Sequence, residues 1–337
     1  NVLLVCWSLG ASRWVLATAH RFLLSASALG VAVVAVMAAK LVLLGMGKMG
    51  GAMALRLREK GHHISIWNRT AAKATAVKEE AAQIGENAAC ELFEDSNAAV
   101  QHSSPDSTVI LIVSDTAACF DTLDSIKSQL NGRTVVNLTS GSPDDGRKIA
   151  AALADTNSAY IDGAYCGPPA KARAGSGILF LSAEQQDDVE RLRPTLEALG
   201  EVAFAGTKIG SSRALDYAVV DLALVCYNSY FSNLAMLEQE GVDQALVREH
   251  AAKRLATVPP ALGLLHARAG AAQRSDDEYK AKPIVTLQTL RGWWSGRLPY
   301  LEARGIPTEW PRFMAGLAER ASEGGHEAAD VTRHLEV

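Results

Sequence analysis

The sequence predicts an α/β protein: an N-terminal domain built on a parallel sheet, then a long helix leading into an all-helical C-terminal domain. Three observations predict this. Short apolar runs alternate with helical stretches between residues 40 and 207. A Gly-x-Gly-x-x-Gly sequence follows the first apolar run. Beyond residue 208 only helical patterning continues. The chain has 337 residues, enough for two domains with separate cores. Hydrophobic residues at 48% and charged residues at 21% exclude disorder. A net charge of −4 gives no electrostatic drive toward nucleic acid, so no nucleic-acid partner is expected. Cys6, Cys90, Cys119, Cys166 and Cys226 are scattered and odd in number, which excludes a disulfide scaffold and suits a reducing compartment. The histidines lack metal-ligand spacing, and no metal is expected; His62 and His63, being adjacent, point to opposite sides of a strand.

Residues 1–39 stand apart from the rest. No Asp or Glu precedes Glu59, and residues 22–39 carry no charge. That length is at the threshold for a membrane span, yet the run is mostly Ala, Val and Ser. Arg-containing, Ser-containing and acid-free, the segment also resembles a transit or signal peptide. Met37, by contrast, opens MAAKLVLLGMG, which reads as the start of a cytoplasmic protein. The segment is expected to be an artefactual extension, a targeting peptide or an anchor. A cytoplasmic location is expected, with membrane contact only if the extension is real.

Lys40–Leu44 is a short apolar run ending at glycine, as a buried parallel strand does. Gly45–Lys60 reads as a turn and helix, His63–Trp67 as a second strand, and Thr70 to about Gln83 as a helix rich in Ala and Lys. Thr108–Val113 is another buried strand, followed by a helix over residues 117–130. Thr134–Asn137 is a strand and Pro143–Leu153 a helix, with later strands at Tyr160–Gly163 and Gly177–Ser182. Ser211–Glu240 is long, mostly apolar and free of Pro and internal Gly; 30 helical residues would span about 45 Å. So apolar a helix is poorly covered by one small domain, which points to burial in a homodimer. Further helices are expected at Asp243–Leu255, Pro260–Arg268, Val285–Arg304 and Trp310 to residue 323. The domains are placed at 1–39, 40–207 and 208–337.

Gly45, Met46, Gly47, Lys48, Met49 and Gly50 form the G-x-G-x-x-G, directly after a strand and opening a helix. The first glycine permits the tight turn, the second lets backbone amides approach a pyrophosphate, and the third lets helix and strand pack closely. This is a Rossmann dinucleotide site. An NAD-binding version places an acidic residue at the end of the second strand, to accept from the ribose 2′-hydroxyl. Here that place holds Asn68, Arg69 and Thr70, with Lys73 one turn on and no carboxylate. A guanidinium, a hydroxyl and an ammonium suit a 2′-phosphate, so the expected cofactor is NADP(H).

LGMGKMG, WNRT followed by Lys73, VVNLTSGSP (135–143) and YIDGAYCGPP (160–169) together resemble the β-hydroxyacid dehydrogenase, or 6-phosphogluconate dehydrogenase-like, superfamily. Within it the chain is most similar to the imine reductases and reductive aminases. Gly325, His326 and Asp330 resemble the family's ending. The resemblance implies a Rossmann domain, a long interdomain helix and an interlocked dimer. It also implies an NADPH-dependent oxidoreductase that reduces the C=N bond of imines or iminium ions to amines by hydride transfer. The alternative it leaves is a carbonyl or 2- or 3-hydroxyacid oxidoreductase. Val113, Ser114 and Asp115 are expected to line the cofactor, and Thr139 and Ser140, with Gly141, to meet nicotinamide and substrate. Hydroxyacid dehydrogenases carry a catalytic Lys followed by paired Asn at the start of the long helix. The ungapped equivalents here are Asp216, Val219 and Val220, with Asp221 a second candidate. Tyr165 and Cys166 replace the Val-Ser of the substrate-binding motif. Leu224 stands where reductive aminases often carry Tyr, and Tyr227 is nearly one turn further on.

Chemistry explains an Asp in place of that Lys. Reducing a ketone builds negative charge on oxygen, which a cationic proton donor stabilises. Reducing an iminium begins with positive charge on the substrate, which a carboxylate stabilises and a lysine repels.

Overall fold

A computed structural model of the protein describes residues 38–85, 89–258 and 286–322. Residues 1–37, the helix expected at Pro260–Arg268 and the family-like ending at Gly325, His326 and Asp330 lie outside them. The described residues form two compact units, one ending at Ala218 and the other beginning at Val219.

Eight strands make one sheet in the first unit. They are β1 (Lys40–Leu44), β2 (His63–Trp67), β3 (Cys90–Leu92), β4 (Thr108–Leu111), β5 (Thr134–Asn137), β6 (Ala159–Cys166), β7 (Gly177–Ala183) and β8 (Gly200–Gly206), in the order β3-β2-β1-β4-β5-β6-β7-β8. Between them run α1 (Lys48–Glu59), α2 (Ala71–Ala82), α3 (Ser96–Gln101), α4 (Thr116–Ile126), α5 (Pro143–Leu153), α6 (Pro169–Ala174) and α7 (Gln186–Leu196). Strand β1 is central because β2 and β4 pair with it on both sides in parallel. The two-residue repeat of a strand then divides its side chains between two cores. Leu41 and Leu43 pack with Ile64, Ile66, Met53 and Leu57 on one face. Val42 and Leu44 pack with Val109, Leu111, Leu123 and Ile149 on the other.

The sheet departs from the all-parallel expectation at one place: β7 runs antiparallel to β6. Only residues 167–176 join them, which is too short for the crossover a parallel pair needs. Strands β3 and β8 are additions to the sequence reading. One is three residues long and the other mixes Glu201 with small residues, so neither has a strong apolar run. Both stand at the sheet's edges. His62 and His63 do face apart: Nδ1 of buried His62 accepts from the amide of Ala39 at 3.0 Å, and Nδ1 of His63 from that of Ala89 at 3.1 Å.

Helix α8 (Ser211–Gln239) begins in the first unit and continues into the second, which also holds α9 (Gln244–Leu255), α10 (Leu287–Glu302) and α11 (Glu309–Ser322). Asp243 and Thr286 cap α9 and α10 with side-chain oxygens. Within the second unit Arg297 donates to Asn233 Oδ1 at 2.7 Å, tying α10 to α8. Among the described residues, no helix is long and apolar enough to cross a membrane.

Candidate functional site

The three glycines of the loop between β1 and α1 do different things. Gly45 has φ +113°, and a Cβ there would overlap the carbonyl of Ile112; its amide donates to the Trp67 carbonyl at 2.8 Å. A Cβ on Gly50 would overlap the carbonyl of Gly45, so only glycine lets α1 sit this close to the turn. Gly47 is different: nothing lies within 4 Å of where its Cβ would be. That side of the loop is open. Gly47 is also the N-cap of α1, which has no side-chain cap and no acidic residue in its first turn. Its first N–H groups therefore keep their donors and positive partial charge for an anion.

A cleft of about 490 Å³ lies over this loop. Gly45, Gly47, Lys48, Met49, Gly50, Asn68, Arg69, Thr70, Lys73, Val113 and Ser114 all line it. The structure thus brings together most of the cofactor residues expected from sequence. Ser96, Asp121, Thr122 and Ser125 line it too. The sequence reading missed these, because they come from α3 and α4 and carry no motif.

Three expected residues, Met46, Asp115 and Thr139, stand one step back from the cleft, and Asn68 ties its lining together. Met46 is buried, and its amide donates to Asn68 Oδ1 at 2.8 Å, while Asn68 Nδ2 donates to the Thr70 carbonyl at 2.9 Å. Asn68 therefore staples the glycine loop to the β2–α2 turn. Asp115 caps α4, accepting from the amide of Ala118 and from Ser114 Oγ, both at 2.8 Å. Those bonds hold its carboxyl below the usual range. Thr139 is buried; its Oγ1 accepts from the Val113 amide at 3.1 Å and its amide donates to Asn137 Oδ1 at 3.0 Å, bracing the ends of β4 and β5. Ser140, next in the chain, is exposed.

Asp216 sits in the second turn of α8. Its Oδ1 is buried without a hydrogen-bond partner, and burial raises its carboxyl above the usual range. It lies near Cys166 at the end of β6: burial first, then the Asp216 charge, pushes that thiol up. Asp221, the second candidate, is exposed. The sequence reading also passed over Asn137, Tyr160, Asp162, Ser212 and Arg213, which form a buried polar cluster behind this edge. The available signal was a lone Asp in an apolar strand and a lone Arg in an apolar helix.

This glycine turn, cleft and strand order define a class. The chain belongs to the family described by the NAD binding domain of 6-phosphogluconate dehydrogenase, which matches residues 40–255. Residues 208–337 match the NADPH-dependent reductive aminase-like C-terminal domain. The chain is 27% identical over 194 residues to the NADPH-dependent reductive aminase of Aspergillus oryzae, covering 58% of this chain and 62% of that protein. Glyoxylate/succinic semialdehyde reductase 1 of Arabidopsis thaliana is 22% identical, covering 59% of this chain and 66% of that one. The match thus spans less than two thirds of either relative. The structure of a reductive aminase from Aspergillus terreus, in complex with NADPH and ethyl levulinate, superposes with a TM-score of 0.74 at 26% identity, covering 89% of this chain and 99% of that one. An imine reductase from Myxococcus stipitatus in complex with NADP+ shares the fold, with a TM-score of 0.72 at 23% identity over 88% of this chain and 99% of that one.

Proposed function

We propose that the protein is an NADPH-dependent reductase of C=N bonds, turning imines or iminium ions into amines. The observation that carries this reading is Asp216, whose Oδ1 is buried without a hydrogen-bond partner. A cationic C=N group would supply the missing charge partner. Opposite charges about 4 Å apart attract by roughly 4 kcal/mol in a partly screened site.

The cleft suits the cofactor that the Aspergillus terreus structure contains. The open side of Gly47 and the uncapped start of α1 would hold the diphosphate. Arg69, Thr70 and Lys73 would hold the 2′-phosphate. Bound there, NADPH supplies the hydride. Asn68 keeps the loop in shape, and Thr139 sets the cleft wall at Val113. Asp216 stabilises the cationic substrate. Val113, Ser114, Thr139 and Ser140 face the same end of the sheet, the carboxyl end of parallel strands where ligands bind.

A carbonyl or hydroxyacid oxidoreductase is the reading this site disfavours, although the Arabidopsis relative is named a glyoxylate/succinic semialdehyde reductase. Helix α8 contains no lysine, and its one basic residue, Arg213, is committed to Asp162. The protein would act as a homodimer. Leu224, Tyr227 and Phe231 form one exposed apolar stripe along the part of α8 in the second unit, with exposures of 48%, 60% and 65%. A second copy would cover it. Free thiols at Cys90, Cys119, Cys166 and Cys226 suit a reducing, cytoplasmic setting. Steady-state rates decide between the chemistries: NADPH oxidation with a five- or six-membered cyclic imine against NADP+ reduction with a β-hydroxyacid. Turnover of the hydroxyacid alone would overturn the proposal.

A further inference from the structure

The start of α8 is held by an arrangement that ordinary helix packing does not require. Arg213 is 2% exposed and Asp162 is 0% exposed. Arg213 Nε donates to Asp162 Oδ1 at 2.8 Å. Asp162 accepts two further bonds, from Tyr160 Oη at 3.0 Å and from Ser212 Oγ at 3.1 Å, and Ser212 meets Ser182 Oγ at 3.0 Å. Two glycines make the room. A Cβ on Gly146 would come within 2.6 Å of Asp162 Oδ2, and one on Gly141 within 2.7 Å of Arg213 Nη1. Burying two charges is costly and by itself weak evidence for stability, since well-packed apolar residues commonly do as well. Something other than stability explains the pair better.

We propose that Asp162 and Arg213 are positioning residues whose buried ion pair fixes the first turn of α8 against β6 and the 139–146 segment, and thereby sets where Asp216 presents its carboxylate. The inference rests on the catalytic reading of Asp216. Arg213 and Asp216 are three residues apart, on neighbouring positions of one helix face. The cluster also reaches the cofactor cleft. Asp162 is bonded to Tyr160, whose hydroxyl accepts from Asn137 Nδ2 at 3.2 Å. Asn137 Oδ1 holds the amide of Thr139, and Thr139 Oγ1 holds the amide of Val113 in the cleft wall. One run of hydrogen bonds thus links the wall of the cleft to the helix carrying the carboxylate. Nη1 and Nη2 of Arg213 are buried without a hydrogen-bond partner, and Tyr160 as well as Asp162 interacts with the guanidinium.

The test uses the full chain and a cyclic imine. The neutral pair Asp162→Asn with Arg213→Met removes both buried charges together, which avoids leaving one uncompensated. It is expected to fold with NADPH affinity, read by fluorescence titration, within about twofold of wild type, while kcat falls at least about tenfold. Asp216→Asn should cost at least about tenfold in kcat in the wild-type background, but less than about twofold in the neutral-pair background, because a displaced carboxylate has little left to lose. Arg213→Lys, which keeps the charge, should restore part of the rate. If the neutral pair does not fold, Arg213→Lys decides alone: a lowered kcat at unchanged NADPH affinity supports the proposal, and a wild-type kcat overturns it. A folded neutral pair with wild-type kcat, or losses that multiply with that of Asp216→Asn, overturns the positioning role while leaving the catalytic reading intact. Wild-type kcat in Asp216→Asn itself overturns the catalytic reading and the proposal with it.

Discussion

Asn68 offers the sharpest check on how the dinucleotide cleft is held. Asn68→Ala removes the acceptor for the Met46 amide, 2.8 Å away, and the donor to the Thr70 carbonyl, 2.9 Å away. Met46 is only 2% exposed, so water cannot readily replace the lost acceptor. An orphaned buried N–H costs about 1–3 kcal/mol, and the second, exposed bond about 0.5–1 kcal/mol. The total, about 1.5–4 kcal/mol, corresponds to a fall in Tm of roughly 3–16 °C for a unit of this size. Because the staple joins the diphosphate loop to the β2–α2 turn, NADPH and NADH affinities should both fall. Asn68→Asp is the informative partner variant. It keeps the acceptor, so Tm should recover most of the loss, but it places a carboxylate where a 2′-phosphate would lie, so NADPH should weaken relative to NADH. Thermal unfolding followed by circular dichroism and cofactor titration by fluorescence give both quantities. An Asn68→Ala protein with wild-type Tm and cofactor affinity would refute the reasoning.

The other predictions concern neighbouring features. Arg69→Ala should raise the NADPH dissociation constant by roughly 10- to 100-fold, the loss of a charge-assisted contact of about 1.5–3 kcal/mol, and leave NADH within about threefold. Gly47→Ala should leave Tm unchanged and weaken cofactor binding at least about tenfold, since only ligand occupies that space; Gly50→Ala should lower Tm by itself, since its Cβ meets the Gly45 carbonyl. Burial holds the His62 imidazole below its ordinary value of 6.5, so the unfolded chain binds more protons than the folded one as pH falls through 6.5. Its contribution is therefore complete above that pH and is lost below it, and His62→Gln should flatten the decline of Tm as the pH falls below 6.5.

Much of the sheet could be read from the chain because its central strands are pure apolar runs bounded by glycine, as at Lys40–Leu44. The edge strands could not, since Cys90–Leu92 is short and Gly200–Gly206 is half polar. The G-x-G-x-x-G announced the cleft because each glycine answers a separate steric demand. Thr139 was harder: a threonine after a strand looks like a ligand contact, yet this one braces two strand ends from a buried position. Asn68 lines the cleft as its position beside a phosphate-binding pattern suggested, but its bond to the Met46 amide left no signal in the sequence. Asp162 and Arg213, 51 residues apart, carried no local signal of their pairing, because a long-range ion pair leaves no spacing to read.

The account depends most on Asp216, and one measurement tests it directly: kcat for a cyclic imine at saturating NADPH in Asp216→Asn, with Tm determined on the same protein. Burial raises the Asp216 carboxyl, so the ionised form costs stability at neutral pH, and the neutral amide should raise Tm. Losing the carboxylate should lower kcat by roughly 10- to 1,000-fold, at NADPH affinity within about twofold. Unchanged imine turnover in the folded variant would contradict the account.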